Sequence, residues 1–377
     1  MRPLLVLTFG LLAAACNARV LVSAGGEAPP EPKPAAEDEG AGRGCGQASA
    51  SPRLVAEGDL RPSSLVPDGD TLWFVNDETP PASDRDPYPA PAFRVWSVAA
   101  SGGVASPTAI RPFGGALALF GAELAYVRGD LGDGARGIYA RDPSSVRERM
   151  IHPLANETVG SFVGRPSDLY WTGHQRTGQY RSALFRFSDG RAGELVSGEP
   201  PSIVSFAVFD ATVYYLRWST AEERTELRLE ALSQQGGEPR VVARFGEDAR
   251  YAWSLVGATS SEIFVALTAR PPERSSIRAI PVDGSRQRVV VEVASFGSTP
   301  ILEGDDLMWV DGDSGRSILQ AKTAGGPITR MATTSTDERR IQGLTLDRCN
   351  AYWTVRDEAR SGPVAIYARS RFPERAR

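Results

Sequence analysis

Leu169-Tyr170-Trp171-Thr172 and Ala351-Tyr352-Trp353-Thr354 are two copies of one short strand, and the chain carries five more. The others are Leu72-Trp73-Phe74-Val75, Leu124-Ala125-Tyr126-Val127, Val213-Tyr214-Tyr215-Leu216, Ile263-Phe264-Val265-Ala266 and Leu307-Met308-Trp309-Val310. Branched and aromatic residues in short runs bounded by turn residues read as strands. The copies begin at 72, 124, 169, 213, 263, 307 and 351, so their spacings are 52, 45, 44, 50, 44 and 44 residues. A fixed period in the forties is the mark of β-propeller blades.

Each copy is preceded by an apolar strand and a short turn of Gly, Asp, Ser or Glu. A third strand follows it, such as Arg94-Val95-Trp96-Ser97-Val98, Ala183-Leu184-Phe185-Arg186-Phe187 or Ile318-Leu319-Gln320-Ala321. Next comes a glycine turn (Ser101-Gly102-Gly103, Asp189-Gly190, Gly236-Gly237, Asp283-Gly284 or Gly325-Gly326), which supplies the positive φ of a tight hairpin. A fourth strand closes the unit, as in Arg240-Val241-Val242-Ala243 and Arg288-Val289-Val290-Val291. With no helical periodicity, the expectation is an all-β propeller of seven four-stranded blades. The seventh unit lacks a fourth strand, and a spare strand, Arg53-Leu54-Val55-Ala56, precedes the first. Pairing the two would cap an open sheet edge and lock the ring.

Tyr170-Trp171-Thr172 and Tyr352-Trp353-Thr354 resemble the Tyr-Trp-Thr-Asp strands of low-density-lipoprotein-receptor-type propellers and related bacterial propeller lipoproteins. The likeness covers residues 53 to 370 and implies an architecture, since propellers host many activities. Two departures count against a closer match. The residue after the threonine is Gly173 or Val355 rather than Asp, and that family has six blades, which leaves six as the alternative count.

At the N-terminus, Met1-Arg2 precedes an apolar run from Leu4 to Ala15. That run is shorter than the roughly 20 residues a spanning helix needs and suits a signal peptide. It ends in Ala13-Ala14-Ala15-Cys16, which resembles a bacterial lipobox, with Leu12 one place further back than usual. The resemblance implies cleavage before Cys16 and a diacylglycerol thioether on it, a membrane anchor worth roughly 0.8 kcal/mol per buried CH₂. Residues 1–15 are then a signal peptide, 16–51 a tether and 52–377 the propeller. The tether is poor in aromatics and carries Ala28-Pro29-Pro30-Glu31-Pro32-Lys33-Pro34, an extended composition that cannot bury enough surface to fold. The expected location is a bacterial envelope, in the periplasm or at the outer-membrane surface. In an oxidising compartment the remaining pair, Cys45 and Cys349, reads as a disulfide. Both belong to the face that carries the first-to-second turns, so the tether would fasten there and the other face would point away from the membrane.

With 42 Lys and Arg against 46 Asp and Glu, the chain has a net charge of -4 and no basic footprint for nucleic acid. Its two histidines are His152 and His174. His174 reads as a loop residue beside Arg176, within reach of general-base work, yet no nucleophile elbow, metalloprotease helix or phosphate loop accompanies it. Asp311-Gly312-Asp313-Ser314-Gly315 and Asp130-Leu131-Gly132-Asp133-Gly134 alternate oxygen ligands as calcium loops do. Neither has the closing Glu, and hairpin turns explain both, so Asp311 and Asp313 are weak metal candidates and no cofactor is expected. Arg128-Gly129-Asp130 spells an adhesion triplet but is better read as a polar turn. The polar loops between second and third strands share one face with the links between blades. They supply the candidate binding residues Asp77, Tyr88, His174, Arg176, Trp218, Arg224 and Arg270. The expected function is non-enzymatic recognition or scaffolding by a monomeric domain, with an unidentified protein or glycan as partner. The alternative is a lyase or hydrolase acting on a glycan or lactone at the central channel, marked by carboxylates and arginine at its mouth.

Overall fold

The seven repeats fold as seven four-stranded antiparallel sheets. The computed structural model describes residues 51–58, 60–80, 89–129, 136–155, 157–175, 181–196, 203–221, 224–246, 251–269, 272–334, 339–357 and 364–371. The inner strands, from blade one to blade seven, are Pro62–Asp68, Leu117–Phe120, Glu157–Gly164, Ile203–Phe209, Tyr251–Ala258, Ile301–Glu303 and Arg339–Leu346. Each touches the next around a ring, and the first touches the last. Seven blades, not six, close the circle. The expected signal peptide, Cys16 and Cys45 lie outside the described residues. No helix among those residues is long and apolar enough to cross a membrane.

The apolar side chains sort into seven clusters, one in each seam between neighbouring blades. This explains why the second strands are apolar along their whole length. Successive side chains point to opposite faces of a sheet, and here both faces are covered. Trp171 packs towards blade two and Tyr170 towards blade four. Trp353 likewise packs towards blade six and Tyr352 towards blade one. The threonine of each Tyr-Trp-Thr run has a different task. Thr172 Oγ1 accepts the Ser161 N–H at 3.1 Å and Thr354 Oγ1 the Gly343 N–H at 2.9 Å. Both amides lie at a bulge of the inner strand, Ser161 inside the stretch without a ladder partner and Gly343 at its edge, opposite Thr354. The motif is therefore a structural device of the blade.

Neighbouring blades approach closely at Gly164, where a Cβ would run into the Leu119 carbonyl of blade two. The Gly325-Gly326 turn has φ of 91° and 116°, a region only glycine adopts freely. Arg53–Gly58 is the outer strand of blade seven, antiparallel to Val364–Ser370, with Arg53 opposite Ala368 and Gly58 opposite Val364. The ring is closed by the N-terminal strand, as the spare strand in the sequence implied.

Candidate binding site

In this topology the second-to-third loops and the links between blades form one face, the loop face. The first-to-second and third-to-fourth turns form the other, the turn face. Blade one has an outer strand of two residues, Ser106–Pro107, where blade two has six, Glu148–Pro153. The short strand leaves the seam between these blades partly uncovered, and a groove of about 470 Å³ occupies it. Its upper end is built from Phe93 at the start of a third strand, Arg111 and Phe113 in the link between blades, and Arg128 at the end of a second strand. Arg141, Val146 and Glu148 line the lower end. Gly129 is required here, because a Cβ would strike the Phe113 ring.

The groove is unevenly charged. Among the described residues Glu148 is the one carboxylate that lines it, and it is engaged internally: it accepts the Tyr126 hydroxyl at 2.6 Å and pairs with Arg128. Burial, reinforced by the Glu148 bond, pushes the Tyr126 phenol well above its usual range. Arg128 also stands 5.4 Å over the Tyr139 ring. Arg111 is exposed, and Phe113 is 51% exposed with the Arg136 guanidinium 5.9 Å from its ring. Arg111 and Arg141, beside an Arg128–Glu148 pair that neutralises itself, suit a negatively charged ligand.

Of the residues chosen from the sequence, Asp77, His174, Trp218 and Arg224 are described, and they stand on blades one, three and four. Asp77 ends the second strand of blade one, and its carboxylate accepts the Thr79 N–H at 2.9 Å, so it shapes the start of its loop. His174 is a correction. It belongs to the strand Leu169–Gln175, opposite Thr158 and Ser182, and not to a loop. The same holds for Trp218 and Arg224. The ladder of blade four continues through Trp218↔Leu227 to Ala221↔Arg224, and Trp218 packs against the seam of blades four and five. These strands outrun the apolar motif that located them, so their polar ends looked like loops. Tyr88, Arg176 and Arg270 lie outside the described residues.

The histidines do not form a pair. His152 Nε2 is 3.7 Å from Glu157 Oε2, and its ring lies 5.3 Å from Trp171 and 5.5 Å from Phe185, in the seam of blades two and three. Gly173 faces the same way, towards Phe185 and Glu157. His174, one residue on, therefore faces the opposite side of the sheet, where burial lowers its pKa. Asp311 and Asp313 form a hairpin turn: Asp311 Oδ2 accepts the Ser314 hydroxyl at 2.6 Å and its carbonyl the Gly315 N–H at 2.8 Å. Among the described residues no three metal-type side chains come together.

A second polar centre, missed in the sequence, lies at the turn-face mouth of the channel. Glu303 ends the inner strand of blade six, and Arg371 Nη1 stands 3.9 Å from its Oε1. Burial pushes the Glu303 carboxyl up to about 7, with Asp347 and Asp306 adding to the rise and Arg371 and Arg165 opposing it. Arg165 comes from blade three, on the far side of the ring, and donates to the Val208 carbonyl. These groups are scattered between positions 165 and 371, and no local pattern joins them.

Glu303 gives a signed expectation. Its folded pKa lies above the ordinary 4.5, so the carboxylate is the disfavoured form in the fold. The penalty is absent below about pH 4.5 and complete above about pH 7, where it reaches about 3 kcal/mol. Glu303→Gln should therefore melt like wild type at pH 4 and higher than wild type at pH 8. Parallel melting curves across that range would refute the assignment.

No protein-family model matches this sequence, and no curated protein matches it. The fold is similar to that of several solved structures. The β-propeller domain of the Trilobed protease from Pyrococcus furiosus superposes with a TM-score of 0.60 at 11% identity, over 82% of this chain and 95% of that one. That domain has an open velcro topology, whereas an N-terminal strand closes the ring here. An oligogalacturonate lyase in complex with manganese gives a TM-score of 0.52 at 14% identity, over 87% and 99% of the two chains. A Mycobacterium tuberculosis puromycin-hydrolyzing peptidase gives 0.58 at 14% identity over 81% of this chain and 53% of its own, so this chain spans about half its length. At such identities the likeness establishes the propeller fold and nothing narrower.

Proposed function

We propose that this chain is an exported, lipid-anchored recognition protein of a bacterial envelope, which binds an anionic protein or glycan in the groove between blades one and two. The observation that carries the reading is the groove's composition: the Glu148 carboxylate is consumed by Tyr126 and Arg128, while Arg111 and the Phe113 ring stand exposed beside it. Support for the anchor comes from the apolar Leu4–Ala15 run ending at Cys16. In this reading Cys45 bridges Cys349. Cys349 sits in a turn of blade seven, the blade where the N-terminal segment joins the ring. Non-reducing peptide mapping tests that pairing. Arg111→Glu and Phe113→Ala each alter an exposed side chain and should leave the melting temperature unchanged. Each should weaken capture of the envelope component held by wild type about tenfold, as loss of a binding hot spot does. Undiminished capture by both variants would end this reading.

One observation favours catalysis at the channel as a second reading. Glu303, poised near neutrality with Arg165 across the ring, has the perturbed carboxyl of a general acid or base. Propellers similar in fold include an oligogalacturonate lyase and several peptidases. Any lyase or hydrolase activity on a glycan or lactone should then vanish in Glu303→Gln while groove binding persists.

A further inference from the structure

Among the described residues, eight large apolar side chains are exposed. Five of them, Leu54, Val104, Val146, Val289 and Ile328, stand within two residues of where an outer strand begins, at Arg53, Ser106, Glu148, Arg288 and Thr329. Outer strands begin on the turn face, so all five lie at its rim. Isolated exposed aliphatics are ordinary on a protein surface. These, however, recur at an equivalent place in blades seven, one, two, five and six, which are consecutive around the ring. In blades three and four the outer strands open with Arg191-Ala192 and Arg240-Val241 and show no large exposed apolar residue there. The arc is therefore one-sided, and its middle is blade seven. That is the blade whose outer strand, Arg53–Gly58, receives the chain from the N-terminal segment that carries Cys16.

We infer that this arc is a membrane-docking rim, seated on an anionic lipid bilayer with blade seven lowest and blades three and four lifted away. The inference rests on the proposed anchor only for the presence of a bilayer beside this face. Arginines accompany the aliphatics: Arg147 follows Val146 and Arg330 lies two residues past Ile328, both exposed. Aliphatic side chains at headgroup depth with guanidiniums beside them is the pattern of proteins that lie on a bilayer without crossing it. An acyl anchor alone leaves a domain free to tumble. A rim centred on the attachment point converts the anchor into a fixed orientation with the loop face outward, and two weak membrane contacts on one body reinforce each other.

The test separates the rim from the anchor. The ring closes within residues 51–371, so a protein beginning at Asn17 keeps the whole fold and has no acyl chain. It should co-sediment with vesicles of phosphatidylglycerol and phosphatidylethanolamine. Val104→Asp/Val289→Asp/Ile328→Asp, which leaves the groove untouched, should bind at least tenfold more weakly. Val204→Asp, at an exposed valine that begins the loop-face end of an inner strand, should bind like wild type. Tryptophan at the same three rim positions should tighten binding. Equal binding by wild type and the triple aspartate protein, or none by wild type and the tryptophan protein, overturns the rim. The anchor is read separately in cells with a palmitate analogue, comparing wild type with Cys16→Ser. Equal labelling there rejects the anchor and leaves the vesicle result standing.

Discussion

A protein that begins at Arg61 should be less stable by about 5 kcal/mol or more than one that begins at Ser51. The ten residues between them include the strand that closes the ring. Val55, Ala56 and Leu60 are at most 4% exposed and sit in the seam of blades seven and one. Full burial of a Val or Leu stabilises by about 1.5–3 kcal/mol, and a cavity adds to the cost of its loss. The deletion also removes the Gly103 N–H bond to the Val55 carbonyl at 3.0 Å and the Arg53 Nη1 bond to the Ala100 carbonyl at 2.5 Å. Val364–Ser370 would become a bare edge, with Ile366 and Ala368 newly exposed and open to pairing with another chain. Against a domain stability of about 5–15 kcal/mol this is a large fraction. Neither protein carries Cys16 or Cys45, so no disulfide within the chain enters the comparison. Matching melting temperatures would mean that the strand does not hold the ring.

The second large effect is expected at Arg371, which is 5% exposed and joins blade seven to blade six. Its Nη1 donates to the Asp347 carbonyl at 3.0 Å and the Arg348 carbonyl at 3.2 Å. Its Nη2 donates to the Glu303 carbonyl and, at 3.1 Å, to Asp306 Oδ2. Its backbone N–H reaches the Cys349 carbonyl at 2.9 Å. Asp306 is 2% exposed and has two further donors on its other oxygen, Gln320 Nε2 and Lys322 Nζ, each at 2.7 Å. Removing one partner of a buried pair costs about 3–5 kcal/mol, because the remaining charge stays buried. Lys322 softens this, so Arg371→Met should cost about 3 kcal/mol and lower the denaturant midpoint accordingly. In a double-mutant cycle Asp306→Asn should recover part of the loss. A cost under about 1 kcal/mol for Arg371→Met would reduce this latch to an ordinary ion pair.

Blade number, strand order and ring closure were legible in the sequence because they rest on local and periodic signals. A strand buried on both faces must be apolar throughout, and seven such runs in the forties-residue rhythm leave little freedom. Leu169 to Thr172 and Ala351 to Thr354 announce themselves this way, and so does the missing fourth strand of the last unit. Strand ends are less legible. Past the short apolar motif the backbone ladder continues, as in blade four out to Ala221↔Arg224, and residues there such as His174, Trp218 and Arg224 resemble loop residues in the sequence.

The candidate site was not legible, for a geometric reason. The groove joins residues 91 to 148 across a seam, and it exists because the outer strand of blade one is two residues long, a length set by pairing. The channel-mouth cluster draws on residues 165, 303, 306, 347 and 371, which only the closed ring brings together. The sequence by itself determined the repeat, the blade count and the strand that locks the ring, because each is a property of one segment's burial. The tertiary structure decided which polar groups meet and on which face, because in a ring contact follows from angular position and not from distance along the chain.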